Sequence, residues 1–265
     1  MTRTPLRRAW IALILALGLA LTACGGSGDS GDSDAWESKD GSSAEPLTKD
    51  DFAKRVADAQ MEAETAHMTM KTEANGQKMT AEGDIQVGES VDDTKLTMAI
   101  EAADQKMDMR LIDKVMYMNM GQMSDDKFVK IDLTDESNPI GKQFSGMADQ
   151  VDPSQQIEDM GDAVTNFEKK GSPEDIDGVK AQRYDVTIDP SEMSSVPEDT
   201  QSMLPDKITY TMYVDADDLM RRITMDMQGT EMTMDYSKWG ESVDIDKPSD
   251  SEVTDKMPGM QQPQG

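Results

Sequence analysis

The sequence predicts a single α+β domain, one amphipathic helix followed by a long antiparallel meander of strands. Three observations carry that reading. Apolar residues recur at helical spacing once, near residue 52, and at strict alternation in nearly every segment after it. Turn residues separate the alternating segments at spacings too short for the crossovers that parallel strands need. No break in composition divides residues 47–247, so they count as one domain.

The helix comes first. Thr48 is placed to cap it, Asp51 stands in the capping-box position three residues on, and Asp50 and Asp51 favour the positive end of the dipole. Phe52, Val56, Ala59 and Ala63 then share one face, which predicts a helix to about Glu64. The period next changes to two. Met68, Met70, Thr72 and Ala74 alternate with His67, Thr69, Lys71 and Glu73, and Asn75-Gly76 is a strong hairpin signal. Met79, Ala81, Gly83, Ile85 and Val87 form the apolar face of the partner strand. Further strands carry Leu96, Met98 and Ile100, then Met107, Met109 and Leu111, then Met116, Met118 and Met120, then Val129, Ile131 and Leu133. In the first four of these six segments the inward residues are the even ones of 68–74 and 96–100 and the odd ones of 79–87 and 107–111.

Between Asp135 and Thr165 the alternation stops, and a mobile loop followed by a short helix from Pro153 is expected. Strand pattern resumes at Val164 to Lys169 and at Ala181 to Ile188. A helical segment from Ser191 to Leu204 separates these from strands at 208–214, 219–227 and 232–236, with a turn at Asp215 to Asp218. Val243 and Ile245 suggest a short last strand.

The ends of the chain differ from this middle. Arg3, Arg7 and Arg8 precede an uncharged apolar run from Ala9 through Leu21, the length of a signal-peptide core and too short to span a bilayer. The run closes on Leu21-Thr22-Ala23-Cys24, which resembles the lipobox of bacterial lipoproteins, with the only cysteine at the position that receives the acyl groups. Residues 1–23 are therefore read as a signal peptide and Cys24 as the lipid attachment site, palmitate being a typical added chain. Gly, Ser, Asp and Glu dominate from Gly25 to Pro46, a composition that favours a disordered tether between membrane and domain. Residues 248–265 are polar and Pro-bearing and read as a second disordered tail.

Composition excludes several functions. The formal net charge of -27, about -30 after loss of the leader, repels nucleic acid and anionic surfaces. One cysteine and one histidine leave no disulfide framework and no His-rich metal centre, and argue against Ser-His-Asp or Cys-His machinery. No phosphate loop or recognisable pair of catalytic carboxylates appears, so neither an enzyme nor a cofactor is expected. Asp215, Asp217 and Asp218 are read as turn residues rather than a calcium loop, which would need a glycine and a terminal glutamate.

The 24 methionines stand out in a chain with only four Phe and three Trp. Met-x-Met on a strand puts both thioethers on one face. The stripes are open to three readings: core filler, a deformable lining for a variable apolar ligand, or soft ligands for copper.

Lipobox, tether, helix, meander, mid-chain interruption and returning strands together resemble the LppX/LprG-type lipoproteins of actinobacteria and, more distantly, the LolA/LolB carriers. The local matches are Gly178-Val179-Lys180-Ala181-Gln182-Arg183-Tyr184, Tyr213-Val214-Asp215-Ala216-Asp217-Asp218-Leu219-Met220-Arg221-Arg222-Ile223, and Tyr236-Ser237-Lys238-Trp239-Gly240 running on to Pro248. The resemblance implies a strongly curved antiparallel half-barrel with helices packed on its concave face and an apolar cavity between them. It implies a lipid-binding, lipid-transporting protein held on the extracytoplasmic face of the cell membrane, expected to be monomeric, with a membrane transporter among the partners left open. On this reading Met98, Ile100, Met109, Leu111, Met118 and Met225 line the cavity for a lipid or glycolipid. The competing readings are a Met-rich copper-binding protein and a structural or partner-binding lipoprotein with no ligand.

Overall fold

The computed structural model describes residues 36–37, 43–74, 76–88, 93–103, 105–135, 161–193, 204–227 and 229–254. The leader, Cys24 and the helix expected from Pro153 lie outside them, apart from helical residues 161–163, as does most of the helical segment expected up to Leu204. Two short strands, β1 (Trp36–Glu37) and β2 (Ser43–Ala44), pair with each other. Helix α1 (Phe52–Ala63) follows.

The rest is one open, curved sheet of twelve strands. Strands β3 (Thr65–Ala74), β4 (Gln77–Gln86), β5 (Lys95–Ala102), β6 (Gln105–Ile112), β7 (Val115–Asn119) and β8 (Phe128–Asp132) run as one meander from the middle of the sheet to one side. The chain then crosses to the opposite edge and returns through β9 (Val164–Ile176), β10 (Val179–Ile188), β11 (Ile208–Asp215), β12 (Met220–Met227) and β13 (Thr230–Ser237), so that β13 lies against β3. Ala74 opposite Gln77 closes the Asn-Gly hairpin on two residues. The short strand β14 (Val253–Thr254) completes the sheet beside β8 and is, among the described strands, the one paired in parallel.

Register confirms the expected faces. Met70 stands opposite Ala81, Ala81 opposite Ile100 and Ile100 opposite Met107, while Lys71 and Glu73 are exposed on the other face. Gly83 is a required residue here: a Cβ on it would lie 1.9 Å from the Thr97 carbonyl oxygen. Helix α1 lies on the inner face over the carboxy-terminal half. Phe52 and Val56 pack with Val164, Tyr184, Val186, Met212, Val214 and Ile223, and the Phe52 and Phe167 rings sit 4.8 Å apart.

Five expectations are corrected. Helix α1 begins at Phe52, because Thr48 to Asp51 form a turn in which the Asp51 carboxylate accepts from the Thr48 amide at 2.7 Å. The tether read as disordered up to residue 46 contains the β1–β2 pair and buries Ala44. Pro190–Glu192 is a single 3-10 turn, with Met193 already extended. The chain at Val243 and Ile245 is not a strand but part of an extended strap, and the tail expected from residue 248 is ordered as far as Thr254. This strap starts at Trp239, whose indole N–H donates to the Met220 carbonyl at 2.9 Å. It takes a hydrogen bond from Arg110 on the Asp246 carbonyl, pairs Lys247 with Asp113, and ends in β14. Ile245 and Pro248 are buried along it, as are Ile112, Tyr117 and Phe128, which face outward by register.

Candidate functional site

Two halves of one sheet carry similar alternation but different packing. Over β10–β12 the inner face is closely packed: Tyr184, Val186, Met212 and Val214 are at most 2% exposed and cluster with Phe52 and Val56 of α1, while Met232, Met234 and Tyr236 on β13 are half-buried. Over β5 and β6 the inner face stays half-buried, as do Met79 and Ile85 on β4 and Met118 on β7, while Ala81, Gly83 and Met116 are buried. A small cluster of Met116, Val129 and Ile131 closes its far side. Among the described residues between Ala66 on β3 and Ile131 on β8, the inward strand positions include no charged side chain.

Five of the six residues expected to line a cavity fall in this region. Met98 faces Met109, Met109 faces Met118, and Ile100 and Leu111 lie in the rows on either side. Met225 shares the face but belongs to the filled half: it stands opposite Tyr210 and Met232 on β12, four strands from β5, a lateral distance of about 19 Å. It is 9% exposed.

The outer face has a different chemistry. A cleft of about 510 Å³ lies where the strap passes β4–β6; its polar lining is His67, Glu82, Asp84, Thr97, Asp108, Arg110, Asp244 and Asp246, and Gly83, Met98, Ala99 and Met109 also border it. His67, on the outward parity of β3, is half-buried, with Nδ1 2.7 Å from an Asp84 carboxylate oxygen. Thr97 Oγ1 accepts from the Asp84 amide at 3.2 Å, and the Arg110 guanidinium stacks 5.0 Å over Phe128. Among the described residues no group of three or more His, Cys, Asp or Glu is placed to hold a metal ion.

Residues that sequence reasoning passed over as turn formers hold the molecule together. Asp215 accepts from the Asp217 and Leu219 amides and pairs with Arg221 at 2.5 Å, with both side chains buried. Asp218 takes Arg55 of α1 on both carboxylate oxygens, at 2.8 and 2.9 Å, and burial pushes its carboxyl up from the usual range despite that partner. The turn composition was visible in the sequence. The cationic partners were not, since Arg55 lies 163 residues away.

A lipoprotein-family model matches residues 50–245, the whole sheet except β14 together with α1. The chain belongs to the LppX_LprAFG lipoprotein family. Among solved structures it is similar to the Mycobacterium tuberculosis lipoprotein LppX, at 16% identity over 75% of this chain and 98% of that one, with a TM-score of 0.53. LprF from Mycobacterium bovis matches at 12% identity over 75% and 97%, with a TM-score of 0.50. At those identities the likeness shows the fold that family members share. A search of curated proteins by sequence finds no significant match.

Proposed function

We propose that this family member is a membrane-anchored, extracytoplasmic lipoprotein that binds a lipid or glycolipid over the inner face of β4–β7 and carries or presents it. The observation that carries the reading is the contrast between the two halves of the inner face. Beneath α1 the face is closely packed around Tyr184, Val186, Met212 and Val214, whereas over β5 and β6 it is a half-buried, uncharged bed of Met, Ile and Leu. Such a bed suits acyl chains, which gain about 0.8 kcal/mol per buried methylene and require no polar partner. Methionine, flexible and unbranched, lets the bed adapt to chains of different length and saturation. With no charge on the bed, the head group stays at its margin, and binding involves no covalent step. Acylation of Cys24 would hold the protein at the membrane from which such a ligand is taken, since two chains suffice for a stable anchor.

Native mass spectrometry tests the reading on a soluble form that begins after Cys24, expressed in a bacterium with ordinary phospholipids. Co-purifying lipid masses are expected, and Met109→Lys, which sets a charge in the middle of the bed, should abolish them. A bare polypeptide that also ignores added phospholipid would sink the proposal. The anchor is tested separately: Cys24→Ala should move the chain out of the membrane fraction, and unchanged partitioning would remove Cys24 from the mechanism.

A further inference from the structure

The register sets methionines side by side as well as one after another. Met98 stands directly opposite Met109 and Met109 directly opposite Met118, so three adjacent strands contribute three thioethers to one lateral row. Elsewhere among the described strands directly opposed methionines come only in pairs, Met70 with Met234 and Met225 with Met232. Directly opposed residues have their Cβ atoms about 5 Å apart. The three-bond side chains of the outer two can therefore lean toward the sulfur of the middle one. All three residues are half-buried, neither locked in tight packing nor fully in solvent. Ala81 opposite Ile100 and Ile85 opposite Leu96 bring Gly83 level with Met98. The row thus has no side chain on that flank, and none fits there, since a Cβ on Gly83 would lie 2.9 Å from the Met98 Cα.

We propose that Met98, Met109 and Met118 form a binding site for one soft monovalent cation, Cu(I), with Ag(I) as its redox-inert surrogate. Thioethers are neutral, polarizable donors that select such ions, whereas divalent cations such as Mg²⁺ and Ca²⁺ require the oxygen ligands this face lacks. Neutral ligands leave the full charge on the ion. In apolar surroundings the cost of an unneutralised charge rises steeply with its magnitude, which favours +1 over +2. The site shares its wall with the proposed lipid bed but does not depend on lipid binding.

The test uses the full chain carrying Cys24→Ala, so that no thiol competes, with its methionine methyl groups labelled with ¹³C. Silver nitrate is titrated in chloride-free buffer while the methyl resonances are followed. One equivalent is expected to saturate the shifts of Met98, Met109 and Met118 together. Met109→Leu, which conserves volume, should weaken silver binding about tenfold or more, and the triple Leu variant should abolish it. Met70→Leu should leave binding unchanged. Silver spreading over many methionines without saturation at one equivalent would overturn the site, as would undiminished affinity in Met109→Leu. If the triple variant fails to fold, the parent's shift pattern and the single variant decide.

Discussion

Asp215 accepts from two backbone amides through one carboxylate oxygen and takes the Arg221 guanidinium on the other, at 2% exposure. Asp215→Ala would leave Arg221 buried without its counterion, and removing one partner of such a pair costs about 3–5 kcal/mol. Urea denaturation at neutral pH should show that loss, and adding Arg221→Leu should recover part of it. Tyr184 gives a second prediction. Its hydroxyl accepts the Leu47 amide at 2.9 Å, and burial lifts its phenol from 10.0 to about 12. Burial raises Tyr210 and Tyr236 as well. The unfolded chain releases these protons near pH 10 while the folded chain keeps them, so above that pH the unfolded state binds fewer protons. Stability should therefore be fully present below pH 10 and fall between about pH 10 and 12. Tyr184→Phe should flatten the fall while costing about 1 kcal/mol at neutral pH, where the Leu47 amide loses its acceptor. An unchanged alkaline slope in the variant would exclude Tyr184 as its source. Neither residue could be assigned these partners beforehand, because periodicity tells which face a side chain takes and not what meets it there.

At the scale of elements, alternation was a sound guide wherever one face is buried. The parity of Met68 to Ala74 and of Leu96 to Ile100 was legible because a slip of one residue would send Lys71 or Glu101 inward. The strap was not legible. The stretch holding Val243, Ile245 and Pro248 carries too few apolar residues to announce an element, and the buried Ile112, Tyr117 and Phe128 have an outward parity that alone would mark them as solvent-facing. Deleting residues 248–265 should consequently destabilise the domain. Losing the buried Pro248 and the β14–β8 pairing should cost about 1–3 kcal/mol, read as a lowered denaturation midpoint. A truncated chain as stable as the parent would show that the segment merely rests on the sheet. For the candidate site, alternation put Met98, Ile100, Met109, Leu111 and Met118 on one face of adjacent strands, whereas Met225 shares that face four strands from β5, because strand order across the sheet is not written in the period of any single strand.

For the whole molecule, the chain carries a formal net charge of -27 while the inner bed of the sheet is uncharged, so the charged groups of the sheet repel one another on its outer face and turns. Raising the salt concentration shortens the screening length to about 3 Å at 1 M. Thermal denaturation should then shift to higher temperature in sodium chloride as self-repulsion is relieved. A midpoint that falls with salt would mean that surface ion pairs such as Lys247–Asp113 outweigh the repulsion. The order of the strands has a different consequence. β3 to β8 and β9 to β13 are each built by neighbours in sequence, and the two sets meet at one seam where β3 pairs with β13, Met70 against Met234. Within each set a strand finds its partner across a short connection, whereas the seam must close a loop of more than a hundred and fifty residues. Loop closure of that length is entropically costly and contributes no contacts until it is complete. The molecule should accordingly assemble as two partly formed wings that wait for each other. Residues along the seam would set how fast the chain folds, and residues in the outer hairpins how slowly it comes apart.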